Sequence, residues 1–515
     1  MSEVKRLECS LNISRFRLDG LNYWPLIRFQ MNYYRKYSQW SYKSVYKVGA
    51  VSVIMLASII VLNFLRFYLL SLTSRKPRFV KPVDDCTNDY SCLEQRDVLI
   101  VALNKEHHAI VGGKRAAPLM DGIALSLPDQ SYYKLVLGAS EEELNSLLIG
   151  GGSLSYQRAV KRRFENSYRQ PKSLSKLYDT LKVLIRCWLV ERKLGQTGLK
   201  VNPEELLYRL DMIQAQKQEF MSFLRSLSPK VVYLTSYTGR TFIVAAAKEL
   251  GIPVVDVQHG GMHRFNVACT HWNYVPEEGY ELLPDFFWCW DGSVAQMVND
   301  TISHHHQAIS GGNPGYHFWC FGHDIVKENM SDEIVAGIEK VQLLSEEKPI
   351  VLVALQYGKD ELLDSHVIEV FRETRNDYQW LFRMHPMGLD RKDELLDILE
   401  GSVDVGLVDW ASSIPLPYLL MGTSFLLTKS STISREAIPF GIKSVFWSKK
   451  GAEIHHDIVE DGGAAVALNS GELKEILCSN DYILEKQFEL SNVGKQVSST
   501  LEYLNNLFMN NRGTK

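Results

Sequence analysis

The chain has 515 residues, of which 45% are hydrophobic and 23% charged, a composition that excludes a disordered or fibrous protein. Its 57 lysines and arginines are balanced by 60 aspartates and glutamates, so no overall positive charge is present to attract nucleic acid. At roughly 150 residues per domain, this length predicts two or three domains.

The first 96 residues contain a hydrophobic stretch, residues 48–70, with basic residues on both sides. Its length is at the lower limit for crossing a bilayer. Three interpretations stay open: a membrane-spanning helix, a helix or hairpin that dips into one leaflet, and a buried core helix. If residues 18–29 pack on the catalytic body, we favour the dip at the cytoplasmic face, because a span would place the bilayer between the two.

The next part of the chain, residues 97–312, alternates short apolar runs with helical patterning, which is typical of a parallel sheet covered by helices. Helices are predicted within residues 141–227 and over residues 238–250 and 293–302. The predicted strands are residues 97–104, 230–236, 253–257 and 285–290.

The second half of the chain repeats this alternation after a strong break at Gly311, Gly312, Asn313 and Pro314. We therefore predict one domain over residues 97–312, another over 313–480, and a C-terminal helix or tail over 481–515. The fold class is α/β, with two Rossmann-like domains. The predicted strands of the second domain are residues 348–356, 379–384, 403–408, 425–428, 444–447 and 464–468.

Ligands of open α/β sheets bind beyond the carboxyl ends of the strands, so the polar residues that follow each strand are the candidates. His259 follows the strand 253–257 and is the candidate general base, with a capping or core histidine as the alternative. Gly260 and Gly261 would let a ligand approach the backbone closely. His107 and His108, after the first strand, are second-rank candidates for the acceptor side.

Two candidate phosphate ligands end a strand of the second domain. Arg383 and His385 could together hold a phosphate anion, and Pro386 favours an extended backbone at His385. The alternative is a surface His-Pro loop without a ligand.

A second group of candidates follows the strand 425–428. The hydroxyls of Ser430, Ser431 and Thr432 lead into a predicted helix and could cradle a phosphate, or could serve as a helix cap without a ligand. Glu436, about one turn into that helix, could accept hydrogen bonds from ribose hydroxyls, or be an ordinary solvated residue.

These motifs resemble those of the GT-B glycosyltransferases of bacterial surface-polysaccharide assembly. His385 and Pro386, together with Ser430, Ser431 and Thr432 (the serine loop), are similar to the HP and SS/T motifs of CMP-sugar-dependent sialyl-, polysialyl- and Kdo-transferases. Residues 258–260 and 382–386, with the serine pair, are similar to signatures of CDP-glycerol glycerophosphotransferases. The resemblance implies two domains facing across a cleft, donor phosphates on the HP and serine motifs, and His259 as the base.

The sequence therefore predicts a glycosyltransferase, which transfers a sugar from a nucleotide-sugar donor to a growing or lipid-linked capsule or O-antigen glycan. The resemblance implies metal-independent chemistry. Our hypothesis is an inverting reaction without a cofactor, and the hydrophobic stretch leads us to expect it at the cytoplasmic face of the bacterial inner membrane, in contact with its lipid. Scattered cysteines without a CxxC pair are typical of reduced thiols and agree with that compartment. The alternatives are a CDP-alditol phosphotransferase for a teichoic-acid-like polymer and a non-catalytic membrane scaffold of a polysaccharide assembly complex.

Overall fold

The computed structural model describes residues 7–8, 11, 13–37, 90, 93–128, 130–152, 174–194, 201, 203–272, 274–302, 305–320, 324–358, 361–479 and 490–510. The hydrophobic stretch 48–70 lies outside these residues, so its three interpretations remain predictions. Within the described ranges, no helix combines the length and apolar character needed to cross a membrane.

The N-terminal segment forms a short hairpin followed by a helix. Its elements are β1 (Arg17–Leu18), β2 (Leu21–Asn22) and α1 (Trp24–Tyr37). Asp19 and Gly20 between the strands both have positive φ, 48° and 82°, as a tight hairpin turn requires.

This segment packs into the core of the first domain. Trp24 and Ile27 are fully buried and belong to the same apolar cluster as Leu99 and Val232 of the central sheet. Residues 18–29 therefore meet the condition under which a membrane dip is favoured over a span.

The first domain is built on a six-stranded parallel sheet with a small hairpin beside it. The predicted strands within residues 97–290 are confirmed, and two edge strands, β6 and β10, were not predicted. The strands are β3 (Val98–Leu103), β4 (Ala109–Val111), β5 (Lys114–Ala116), β6 (Tyr132–Leu137), β7 (Val231–Thr235), β8 (Val254–Val257), β9 (Phe286–Cys289) and β10 (Gln307–Ser310).

Helices cover this sheet, whose strand order is β10-β9-β8-β7-β3-β6. The central strands are buried along their whole length, which explains their continuous apolar sequences. The helices are α2 (Pro118–Leu125), α3 (Glu141–Asn145), α4 (Leu174–Leu194), α5 (Pro203–Leu227), α6 (Thr241–Glu249), α7 (Gly292–Asn299) and α8 (Pro314–Cys320).

The second domain has a five-stranded parallel sheet in the order β12-β11-β13-β14-β15. Its strands are β11 (Ile350–Ala354), β12 (Gln379–Arg383), β13 (Thr423–Thr428), β14 (Ser444–Phe446) and β15 (Ala464–Val466). Its helices and the linking helices before it are α9 (Asp324–Glu328), α10 (Asp332–Glu347), α11 (Ser365–Thr374), α12 (Lys392–Ile398), α13 (Val405–Ser413), α14 (Leu416–Met421), α15 (Ile433–Ala437), α16 (Lys449–Ile454), α17 (His456–Glu460) and α18 (Ser470–Cys478).

The predicted strand over residues 403–408 is wrong. The Asp404 side chain accepts hydrogen bonds from the backbone N–H groups of Gly406 and Leu407 and so begins α13 at this point. A satisfied N-cap outweighs the valine-rich strand pattern here, because valines in a short helix lose only a few tenths of a kcal/mol of propensity, roughly.

The chain crosses between the domains more than once. α8 follows the break at residues 311–314 but packs on α2, so closely that a Cβ at Gly122 would lie 2.0 Å from the Pro314 carbonyl oxygen. The last helix, α19 (Leu490–Asn510), also returns to the first domain, where Phe508 contacts Phe286.

Both sheets have the same kind of reversal in strand order. In the first, β3 lies between β6 and β7, and in the second, β11 lies between β12 and β13. Such a reversal opens a crevice at the carboxyl ends of the strands, where ligands of this fold class bind. The candidate residues therefore follow strands at or beside both reversal points.

Candidate active site between the two domains

The loops that follow β8 and β13 meet at the boundary between the domains. A Cβ placed on Gly261 would lie 3.4 Å from the Cγ2 atom of Thr432 and 3.2 Å from the Cδ2 atom of His263. The glycine thus allows the backbone of one domain to come close to the serine loop of the other. Two motifs that are far apart in sequence are adjacent in space.

His259 lies exposed at the end of β8. Its Nε2 atom shares a hydrogen bond of 2.7 Å with the hydroxyl of Ser236, which follows β7. Ser236 has φ 49° and ψ 53°, a left-handed conformation that is uncommon for residues other than glycine. The buried Gln258 donates to the Gly260 carbonyl oxygen and accepts from the Trp290 N–H, which fixes the start of the loop.

A buried charged cluster lies at the ends of β3, β7 and β8. Glu106 accepts hydrogen bonds from the Thr235 hydroxyl and the Arg240 guanidinium, both at 2.7 Å. Burial alone would raise the pKa of Glu106, but Arg240 and these hydrogen bonds hold it below its usual value. Asp256 accepts from the Tyr237 N–H, and burial raises its pKa to about 7.

Sequence reasoning gave no role to Glu106 and Arg240. The signal available was the position of Glu106 directly after the first predicted strand, where a carboxylate needs a buried partner. The cluster joins the end of β3 to the end of β7, and β7 pairs with β8, the strand that His259 follows.

The two second-rank histidines lie in different environments. His107 is 2% exposed and its Nδ1 atom donates to the Leu103 carbonyl oxygen at 3.0 Å, while burial lowers its pKa. His108 is exposed. The structure thus places His107 in the core, where an acceptor would not reach it, and leaves only His108 at the surface.

Several hydrogen bonds from neighbouring residues hold the serine loop in place. The Ser430 hydroxyl donates to the Gln356 side chain at 3.0 Å and so joins the loops after β11 and β13. The Ser431 N–H donates to the Thr428 hydroxyl at 3.2 Å, and the buried His455 donates from Nε2 to the Ser430 carbonyl oxygen at 3.2 Å. The loop is therefore preorganised at the strand reversal of the second domain.

Arg383 and His385, the two candidates at the end of β12, have different surroundings and different hydrogen-bond partners. His385 is exposed, and its Nδ1 atom accepts from the Met387 N–H at 3.1 Å. Arg383 instead donates from Nη1 to the carbonyl oxygens of Ala411 at 2.5 Å and Ile414 at 2.8 Å, at the end of α13. A cation is favourable at the C-terminal end of a helix, so this position does not support the predicted phosphate contact of Arg383.

Glu436 is half-buried in α15, near the Arg383 guanidinium. Its backbone carbonyl accepts a hydrogen bond of 3.0 Å from the hydroxyl of Tyr316 in α8. Burial raises the pKa of the Glu436 carboxyl to about 7, although Arg383 opposes this shift. The predicted ribose contact stays a prediction.

Replacing Glu436 with glutamine is expected to change how stability depends on pH. Because the folded-state pKa is raised from 4.5 to about 7, the folded protein binds this proton more tightly than the unfolded chain does. That stabilisation is fully present below about pH 4.5 and is lost as the pH rises through about 7. Between pH 5 and pH 8, the unfolding temperature of the variant should therefore fall by less than that of the wild type. Glu453→Gln, at an exposed position, is the control. If the drop between pH 5 and pH 8 is the same in Glu436→Gln as in the wild type, the raised pKa of Glu436 is contradicted.

Charged side chains join the domains beside the serine loop. Arg435 on α15 forms an ion pair with Asp457 and a second one, at 3.3 Å, with Asp291, which caps α7 of the first domain. The Ser293 hydroxyl donates to Asp457 at 2.9 Å. This network was not predicted, because Arg435 was only an ordinary residue of a helical pattern.

Among the described residues, no group of three His, Cys, Asp or Glu side chains is arranged to hold a metal ion. His306 is fully buried and both its ring nitrogens bind the backbone: Nε2 accepts from the Tyr280 N–H and Nδ1 donates to the Pro284 carbonyl oxygen.

No protein-family model and no curated protein matches the amino-acid sequence. Among solved structures, the chain is similar to UDP-GlcNAc 2-epimerase from Neisseria meningitidis, with 13% identity, 80% of this chain and 100% of that chain covered, and a TM-score of 0.44. It is also similar to UDP-GlcNAc 2-epimerase from Methanocaldococcus jannaschii, with 15% identity, 79% and 99% coverage, and a TM-score of 0.47. The likeness is one of architecture, and any assignment of an activity to this chain has to rest on its own residues.

Proposed function

We propose that the chain is a glycosyltransferase that binds a nucleotide-sugar between its two Rossmann-like domains and transfers the sugar, with inversion, to a surface-polysaccharide acceptor. The observation that carries this proposal is the close approach of Gly261 to Thr432, since a Cβ added to Gly261 would lie 3.4 Å from Thr432 Cγ2; this places the His259 loop beside the serine loop. Both loops follow strands at or next to the strand reversals, where ligands of such sheets bind.

The proposed reaction assigns a role to each side of this boundary. His259 accepts the proton of the acceptor hydroxyl as that oxygen attacks the anomeric carbon, and the bond from the anomeric carbon to the nucleotide phosphate breaks. The leaving phosphate takes the electron pair, and the hydroxyls of the serine loop with His385 stabilise its charge. Glu436 accepts hydrogen bonds from the ribose. Since these groups are held before the ligand arrives, little reorganisation is needed during transfer.

Nucleotide titration by calorimetry, followed by a donor screen, tests the proposal. Binding of CMP, CDP, UDP or GDP at micromolar concentrations, with transfer from the matching nucleotide-sugar, is the expected result. Transfer of an alditol phosphate from a CDP-linked donor would favour the phosphotransferase. Absence of binding to every one of these nucleotides would favour the membrane scaffold.

We also propose that the acceptor is lipid-linked and that residues 48–70 dip into the cytoplasmic leaflet of the inner membrane. The packing of residues 18–29 on the first domain supports this, because the hydrophobic stretch follows closely in the chain. Protease treatment of sealed vesicles bearing an N-terminal tag tests it: a tag accessible only from the periplasmic side refutes the dip.

A further inference from the structure

Arg435 lies between two carboxylates that belong to different domains. Its Nη1 atom donates to Asp291 Oδ2 at 3.3 Å, just before α7 of the first domain. Its Nη2 atom donates to Asp457 Oδ1 at 2.5 Å, in α17 of the second domain. The Arg435 side chain is 2% exposed. Because a buried cation is unfavourable without such partners, the pair with Asp291 favours an arrangement in which the two domains lie together.

On the side of the first domain, a short path leads from Asp291 to the candidate base. Asp291 directly follows Trp290, whose backbone N–H donates to the Gln258 side chain at 2.8 Å. Gln258 is fully buried and directly precedes His259. A displacement of Asp291 would therefore reach His259 through two peptide bonds and one hydrogen bond.

On the side of the second domain, an equally short path leads from Arg435 to the serine loop. The Arg435 backbone N–H donates to the Thr432 carbonyl oxygen at 2.9 Å, in the first turn of α15. The other partner of the guanidinium, Asp457, lies two residues after His455, which binds the Ser430 carbonyl oxygen. The pair of Asp291 and Arg435 thus joins the loop of the candidate base to the candidate phosphate loop.

The two oxygens of the Asp291 carboxylate have different partners. Oδ1 accepts from the Val294 N–H at 2.9 Å and from the Ser293 hydroxyl at 2.8 Å, and so caps α7. Oδ2 is the oxygen that accepts from Arg435. A helix cap needs only one oxygen, and asparagine caps a helix about as well as aspartate. The negative charge of Asp291 therefore serves the contact between the domains and not the helix that it begins.

We propose that Asp291 and Arg435 are positioning residues, which set the distance between the base on the His259 loop and the nucleotide phosphate on the serine loop. This inference rests on the proposed function and extends it. Alignment of the attacking hydroxyl with the leaving phosphate matters, because a misplacement of about 1 Å can lower a rate about 10²-fold. The hydrogen bonds that Ser430 and Ser431 make with Gln356 and Thr428 lie within the second domain and do not depend on Asp291. The ion pair should therefore affect turnover much more than nucleotide binding.

The substitution Asp291→Asn removes the charge and keeps an oxygen to cap α7. The matched control is Asp404→Asn, the same change at an exposed aspartate that caps α13 through the N–H groups of Gly406 and Leu407. Thermal unfolding of both variants establishes that they are folded. With the donor found in the screen, Asp291→Asn should lower kcat about ten- to hundredfold and change the nucleotide Kd less than about twofold. Asp404→Asn should change neither quantity.

A crosslink between the domains gives a second measurement that does not depend on activity. A Cβ on Gly261 would lie 3.4 Å from Thr432 Cγ2, close enough for a disulfide in the double substitution Gly261→Cys with Thr432→Cys. Oxidised glutathione supplies the oxidant, and peptide mass spectrometry measures how fast the bond forms. Adding Asp291→Asn should slow its formation several-fold, whereas adding Asp404→Asn should leave the rate unchanged.

The outcomes separate this inference from the proposed function. A crosslinking rate unchanged by Asp291→Asn overturns the positioning role, and so does a nucleotide Kd that weakens as much as kcat falls; the proposed function stands in both cases. If the wild type binds no nucleotide, the proposed function fails, and the crosslinking rate still decides whether Asp291 holds the two loops together.

Discussion

Replacement of His259 by alanine is expected to lower kcat about 10²- to 10⁴-fold, the usual contribution of a general base. The imidazole lies exposed at the end of β8, and its hydrogen bond with Ser236 at 2.7 Å holds the ring in one orientation. Nucleotide affinity should stay nearly unchanged, because the base acts on the acceptor hydroxyl and not on the donor phosphate. Transfer from the donor found in the screen, measured at saturating donor, gives kcat.

Two comparisons make this result specific. His385→Ala should weaken nucleotide binding, since His385 is assigned to the phosphate side, and should thereby separate the two roles. His456→Ala, at an exposed histidine outside the proposed site, should change neither quantity. Unchanged turnover in both His259→Ala and His385→Ala removes the proposed mechanism.

Replacement of Arg28 by methionine is expected to lower the free energy of unfolding by about 3–5 kcal/mol, as when one member of a buried ion pair is removed. Arg28 and Glu8 are both fully buried and form an ion pair at 2.5 Å. The Arg28 guanidinium also lies 3.9 Å from the ring centre of Trp272. It donates to the backbone carbonyl oxygens of Val267, Thr270 and His271.

The loss follows from what the methionine leaves behind. Glu8 would remain buried without its charged partner, and the carbonyl groups of residues 267–271 would lose their donor. The matched control is Arg17→Met, because Arg17 is 38% exposed and pairs with Glu281 at the surface, where such pairs contribute about 1 kcal/mol or less. Denaturant unfolding measures both variants. Equal unfolding midpoints for the two variants would show that the buried Arg28 pair adds no more stability than the surface pair of Arg17, which contradicts the prediction.

Arg28 also connects the N-terminal segment to the loop that carries the candidate base. The carbonyls that it binds belong to residues 267–271, which continue the chain from His259 and His263. A change in α1 can therefore alter the position of this loop, and Arg28→Met should reduce transfer at temperatures below its unfolding transition.

The sequence by itself determined the fold class and most strands of the two sheets. Buried parallel strands are apolar on both faces, so the runs at 97–104, 230–236 and 253–257 identify themselves without knowledge of their neighbours. The same reasoning located the loops at the strand ends. It failed at residues 403–408, where one hydrogen-bonded aspartate decides between strand and helix.

Only the tertiary structure decided which polar groups meet and which are already satisfied. Arg383 looks like a phosphate ligand in sequence, but the end of α13 supplies carbonyls that bind it. Nothing in the sequence relates Gly261 to Thr432, but the packing of the two domains places them so close that a Cβ on Gly261 would lie 3.4 Å from Thr432 Cγ2. Periodicity and propensity act over a few neighbouring residues, whereas hydrogen-bond partners come from loops far apart in the chain, which only the packed sheets bring together.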